Sequence, residues 1–108
     1  MSTYQQRALQ ALGDPSRRDI FERLTAGPLA VGELAEELPI SRPAVSRHLK
    51  LLNDAGLVSD QAHGARHLYH LQDEGIAAVR GYLEDVWGEA AVRFRLFAEN
   101  TARPPHQS

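Results

Sequence analysis

Ser41-Arg42-Pro43-Ala44-Val45-Ser46-Arg47-His48-Leu49-Lys50-Leu51-Leu52 is the stretch on which the reading of this 108-residue chain turns. It reads as a helix. Ser41 is a good N-cap, and Pro43 falls in the first turn, where a missing N–H costs nothing. At about 100° per residue, Val45, Leu49 and Leu52 lie within about 60° of one another and mark a buried side. Pro43, Ser46, Arg47 and Lys50 point the opposite way, with Arg42 at the N-terminal edge. A surface helix normally mixes charges of both signs, yet residues 41–53 carry three fixed positive charges and no acid. Such a helix is a candidate for the major groove of DNA, provided its flanks supply a scaffold.

Upstream, residues 4–12 read as a short helix with Tyr4, Ala8, Leu9 and Leu12 on one broad side, stopped by Gly13. Asp14-Pro15 opens a second helix with an N-cap and an N1 proline. It runs to about Ala26, buries Ile20, Phe21 and Leu24, and ends at Gly27-Pro28. A third helix covers about Val31 to Leu38. The short Pro39-Ile40 connector forces it to cross the Ser41–Leu52 helix sharply, which is the spacing of a helix-turn-helix.

Downstream, Gly56 is placed for a left-handed C-cap. Leu57 to about His63 and His67 to Leu71 read as two strands joined by a turn at Gly64-Ala65. A lone hairpin is marginal in water, so it leans on the helices as a wing. Its tip, His63-Gly64-Ala65-Arg66-His67, is polar and basic and suits phosphate or minor-groove contact. From about Gln72 a long last helix runs toward Glu99, with Ile76, Val79, Leu83, Val86, Trp87, Ala90, Phe94 and Phe97 at near-heptad spacing. Tyr82, Val92 and Leu96 extend its apolar surface further than one small domain covers, which points to a partner. The fold class is mainly α with a small β-hairpin: a winged helix-turn-helix spanning residues 1–100, with 101–108 a flexible tail.

Composition supports a DNA face without demanding one. The formal charge is −2, but residues 41–71 carry Arg42, Arg47, Lys50 and Arg66 against Asp54 and Asp60, while the segments on either side are acidic. DNA binding needs the local field rather than a high overall pI. Seven aromatics in 108 residues are few, which favours a small helical domain that completes its core by dimerising. The absence of cysteine excludes disulfides, thiolate zinc sites and a cysteine nucleophile. No apolar run approaches a membrane span and the N-terminus lacks the pattern of a signal peptide, so the expectation is a cytoplasmic protein without a membrane partner. No nucleophile–base spacing, phosphate-cradling glycine loop or paired-carboxylate motif appears, and an enzyme is not expected. His63, His67 and His70 could in principle bind a metal. His67 and His70 fall on opposite strand faces by parity, so neither a metal nor another cofactor is expected.

The chain resembles the ArsR (ArsR/SmtB) family of bacterial winged-helix repressors. The match is carried by Ala11-Leu12-Gly13-Asp14-Pro15-Ser16-Arg17-Arg18, Val31-Gly32-Glu33-Leu34-Ala35, the Ser41–Lys50 stretch, Asp54-Ala55-Gly56-Leu57-Val58 and the wing ending Leu68-Tyr69-His70-Leu71. The resemblance implies a homodimer joined through the first and last helices, here by Tyr4, Leu9, Leu12, Val79, Leu83, Val86, Trp87, Ala90 and Phe94. It implies a double-stranded, pseudo-palindromic DNA operator as the partner and repression by covering a promoter. Base-edge contacts fall to Arg42, Ser46 and Arg47, with Pro43 on the same face; His48, which flanks the core side of the helix, either joins them, bonds a phosphate or fixes the helix. Phosphate contacts fall to Ser41, Lys50, Arg66 and His67. Metal-sensing members often carry Cys-x-Cys where this chain reads Ala30-Val31-Gly32. Others carry Asp-x-His on the last helix, where it reads Asp85-Val86-Trp87. Both family sensor sites are thus missing, and the effector is unknown. The alternatives are a winged-helix dimeric interaction protein without specific DNA readout, and a metal- or small-molecule-responsive member with a different sensor site.

Overall fold

The computed structural model describes residues 2–101, apart from the side chains at 91, 94, 97 and 99–101. Phe94 as a dimer contact and the tail at 102–108 therefore lie outside the described residues. The element order is α1 (Thr3–Ala11), α2 (Pro15–Leu24), α3 (Val31–Glu37), α4 (Arg42–Asp54), β1 (Val58–His63), β2 (Arg66–Leu71) and α5 (Asp73–Thr101). It is the order the sequence implies.

Caps set where the helices begin. The Ser2 hydroxyl accepts from the N–H of Gln5, whose side-chain oxygen accepts from the N–H of Ser2, each at 3.1 Å. The Asp14 carboxylate accepts from the N–H of Arg17 at 3.0 Å and the Ser41 hydroxyl from that of Ala44 at 3.3 Å. The second helix stops at Leu24, two residues short of the sequence expectation. The N–H groups of Thr25, Ala26 and Gly27 each reach back three residues instead of four, so the chain tightens before it turns. Arg17 fastens α2 to α1, its Nε donating to the Ala11 carbonyl at 2.6 Å.

The core forms where these helices cross. Ile20, Leu34, Val45, Leu49, Leu52 and Leu57 have no solvent exposure, and Val58 has almost none. The three inward residues of α4 are those its periodicity selects, which fixes the opposite face outward. In the hairpin, Val58 pairs with Leu71 and the register runs to His63 opposite Arg66, with Gly64 supplying the positive φ of +63° at the turn. The wing root is anchored by Tyr69, which exchanges backbone hydrogen bonds of 3.1 and 2.8 Å with Leu29.

The junction between α4 and β1 locates the last helix. Gly56 takes φ +77°, and the N–H of Leu57 returns to the Leu52 carbonyl at 3.0 Å, closing α4. The first turn of α5 rests on this junction. The N–H of Gly75 donates to the Gly56 carbonyl at 3.0 Å, and a Cβ at Gly75 would collide with that carbonyl and sit 3.0 Å from the Leu57 Cα. Tyr4 of α1 covers another side of Gly56, its hydroxyl where a Gly56 Cβ would lie.

Burial then fades along α5. Gly75 is buried, Ile76 and Val79 are half-buried, and Leu83, Val86 and Trp87 are exposed. At 1.5 Å per residue the helix is about 43 Å long, so its second half projects beyond the domain. It runs through Thr101, two residues past the end that the sequence suggests.

Candidate nucleic-acid interface

With Val45, Leu49 and Leu52 locked inward, Pro43, Ser46, Arg47 and Lys50 stand on the solvent side of α4. All four are exposed, as are Ser41 and Arg42. Arg42 and Arg47 have no acid partner among the described residues, whereas Lys50 pairs with Asp54 at 3.1 Å one turn on. The Ser41 hydroxyl is engaged in its capping bond, which leaves its second lone pair outward.

On the wing, Arg66 and His67 each lie beside an acid. An Arg66 Nη contacts Glu33 at 2.5 Å, and His67 Nδ1 lies 3.2 Å from an Asp60 oxygen. Glu33 has a second duty, since the same oxygen accepts the N–H of Ala30 at 2.9 Å at the start of α3. The hairpin is therefore tied down at two levels, by the backbone at Tyr69 to the segment between α2 and α3 and by charge at Arg66 to α3. His70 Nδ1 lies 3.1 Å from the Leu71 carbonyl, away from His67.

His48 is half-buried between the reading face and the core. Its Nδ1 is buried with no hydrogen-bond partner and lies 4.0 Å from an Asp14 oxygen at the cap of α2. Asp14 titrates below the usual carboxylate range, chiefly because it accepts the N–H of Arg17. Burial opposes this as the next-largest effect, and the charges of Arg17 and His48 add to the lowering. A negative Asp14 thus faces the imidazole.

The residues expected at a dimer interface divide in two. Leu12 and Val79 pack against the chain's own core, and Leu9 is half-buried. Tyr4, Leu83, Val86, Trp87 and Ala90 are exposed, Trp87 by 70%. Leu12, Phe21, Val79, Leu83 and Trp87 border an open apolar groove of about 390 Å³ between α2 and α5. Sequence reasoning missed Glu33 and Asp60, which pair with basic side chains of the wing. Glu33 and Arg66 are 33 residues apart, and no local pattern joins them.

A family model described as a helix-turn-helix domain matches residues 12–61. The HTH-type transcriptional regulator Rv2034 of Mycobacterium tuberculosis is 56% identical over 92 residues, covering 83% of this chain and 86% of the relative. An ArsR-like transcriptional regulator from Rhodococcus sp. RHA1 superposes with a TM-score of 0.75 at 25% identity, covering 94% of this chain and 95% of that one. The chain belongs to the ArsR family of winged helix-turn-helix transcriptional regulators. The homodimeric winged helix-turn-helix DNA-binding domain of Mb0332 from Mycobacterium bovis matches with a TM-score of 0.65 at 27% identity, covering 80% of each chain. Within this ArsR-family regulator, α3 and α4 form the helix-turn-helix, α4 is the recognition helix and the β1–β2 hairpin is the wing. The sequence-based alternative, a winged-helix dimeric interaction protein without specific DNA readout, is not favoured by these relationships. No helix among the described residues is long and apolar enough to cross a membrane.

Proposed function

We propose that this regulator is a cytoplasmic homodimer that represses by occupying a pseudo-palindromic operator within a promoter. The observation that carries the reading is the outer face of α4, free of acids from Arg42 to Asn53 and held outward by three fully buried residues on the inner face. Arg42, Ser46, Arg47 and His48 take base edges, arginine being able to grip guanine by two parallel hydrogen bonds. Ser41, Lys50, Arg66 and His67 take phosphates, and Pro43 packs at the groove wall. Lys50 and Arg66 exchange their carboxylates for phosphate on binding.

The dimer is supported by the exposed apolar side chains of Leu83, Val86 and Trp87, which a single chain leaves in water. The homodimeric Mb0332 domain has the same fold. A two-fold axis between the long helices sets two recognition helices toward half-sites about 34–36 Å apart.

The test is a protection footprint on DNA upstream of its own gene, followed by affinity measurements as salt is varied. A protected two-fold site with a steep negative salt slope supports the reading. Equal binding to all duplexes, or none, overturns it. Arg47→Ala is expected to lose specific affinity, whereas Lys50→Ala weakens specific and scrambled duplexes alike. A promoter–reporter fusion silenced by the wild type and released by Arg47→Ala establishes repression.

A further inference from the structure

Gly32 is the second residue of a helix only seven residues long, where glycine is a poorer helix former than alanine. Space around it explains the choice. A Cβ there would lie 2.6 Å from Nη2, 3.3 Å from Cζ and 3.6 Å from Nε of Arg42. All three nearest atoms belong to one guanidinium group, so Arg42 lies across the first turn of α3 and occupies the place of the missing methyl. The helical glycines of α5 beyond its first turn differ: Gly81 would meet only the Gln5 amide nitrogen at 3.9 Å, and Gly88 would meet nothing within 4 Å.

The next residue, Glu33, holds Arg66 of the wing by an ion pair. Two consecutive residues of the helix that does not read DNA thus receive arginines from the recognition helix and from the wing. Arg42 needs such a rest. An exposed arginine loses rotamer freedom when fixed, and one that is already directed loses less per hydrogen bond formed.

We infer that the first turn of α3 aims Arg42 at DNA, with Gly32 as the positioning residue. This rests on the DNA-reading assignment of α4 above. A methyl at position 32 pushes the guanidinium aside by about 1 Å, from 2.6 Å to an ordinary contact. The displaced atoms are the far end of a flexible side chain, so the helix is not strained. The substitution therefore separates aim from folding.

The experiment uses the full chain and two duplexes, the footprinted upstream segment and a scrambled duplex of equal length. Gly32→Ala is expected to lose about tenfold in affinity for the footprinted duplex, within the range for one two-pronged base contact. It should bind the scrambled duplex unchanged and melt no lower than the wild type. In an Arg42→Ala background, Gly32→Ala should have no further effect. Wild-type affinity for Gly32→Ala, an equal loss in the Arg42→Ala background, or a lowered melting temperature each overturns the inference. Absence of any protected site for the wild type removes the DNA reading itself, and this inference with it. A protected site that Gly32→Ala binds normally removes the inference alone.

Discussion

Replacing Gly75 with alanine sets helix propensity against packing. Propensity alone favours the change, by up to about 1 kcal/mol in the first turn of α5. The new Cβ, however, would run into the Gly56 carbonyl and sit 3.0 Å from the Leu57 Cα, and these are backbone atoms that cannot rotate away. Gly56 is pinned by its φ of +77° and by the Leu57 N–H bond to Leu52. So α5 has to retreat by about 1 Å, stretching the 3.0 Å bond from Gly75 to Gly56 and the 2.9 Å bond from Gln72 to Leu57. Overpacking costs about 1–3 kcal/mol and a weakened hydrogen bond about 1 kcal/mol more. After subtracting the propensity gain, a net loss of about 2 kcal/mol remains, which lowers the melting point by about 8–16 °C for a domain of this size. The assay is thermal unfolding followed by circular dichroism at one fixed protein concentration, since a dimer's melting point depends on it. A variant that melts at or above the wild type refutes the close approach of α5 to the α4–β1 junction.

Val86→Glu places a charge on the exposed apolar side of α5, and size measurement should show monomer where the wild type shows dimer; an unchanged dimer would mean the interface lies elsewhere. Asp14→Asn keeps an N-cap acceptor but removes the carboxylate. Because the Asp14 pKa is depressed in the fold, its contribution is present above its unfolded value and is lost as pH falls through the folded value. Denaturant melts at about pH 6 and about pH 3 should therefore differ less in the variant than in the wild type; an equal difference would contradict the assignment. Glu33→Gln retains an acceptor for the Ala30 N–H while releasing Arg66. Stability should drop by less than about 1 kcal/mol, as for exposed ion pairs, and DNA affinity at low salt should rise with a steeper salt slope. Weaker binding would show that Glu33 holds Arg66 in its binding pose instead of competing with phosphate.

Much of the fold was legible because its signals are local. Ser41, Asp14, Pro15 and Gly56 mark helix ends within a few residues of themselves, and Val45, Leu49 and Leu52 reveal their shared face by spacing alone. Gly64-Ala65 fixed the hairpin register for the same reason. The details that shape the interface depend on residues distant in sequence. Gly75 reads as an ordinary weak helix former until the Gly56 carbonyl beneath it is seen. Gly32 gives no hint of Arg42, nor Glu33 of Arg66. The apolar stripe of α5 was also ambiguous. Ile76 and Val79 serve the chain's own domain while Leu83, Val86 and Trp87 do not, and a continuous periodicity cannot show where one use ends and the other begins.

The carboxylates beside Lys50, Arg66 and His67 bear on how one operator is found among the many competing sequences of a chromosome. A cation that arrives with its own counter-charge gains less from an arbitrary phosphate than a bare one, because it must surrender a partner as the counterions leave the DNA. General affinity for duplex is thereby held down, in keeping with a net charge of −2. Arg42 and Arg47, which have no acid beside them among the described residues, are on the face proposed to meet base edges. Occupancy of a single site is governed by the ratio of specific to background binding. With the proposed contacts, this surface would raise that ratio by lowering the background as well as by strengthening the specific complex.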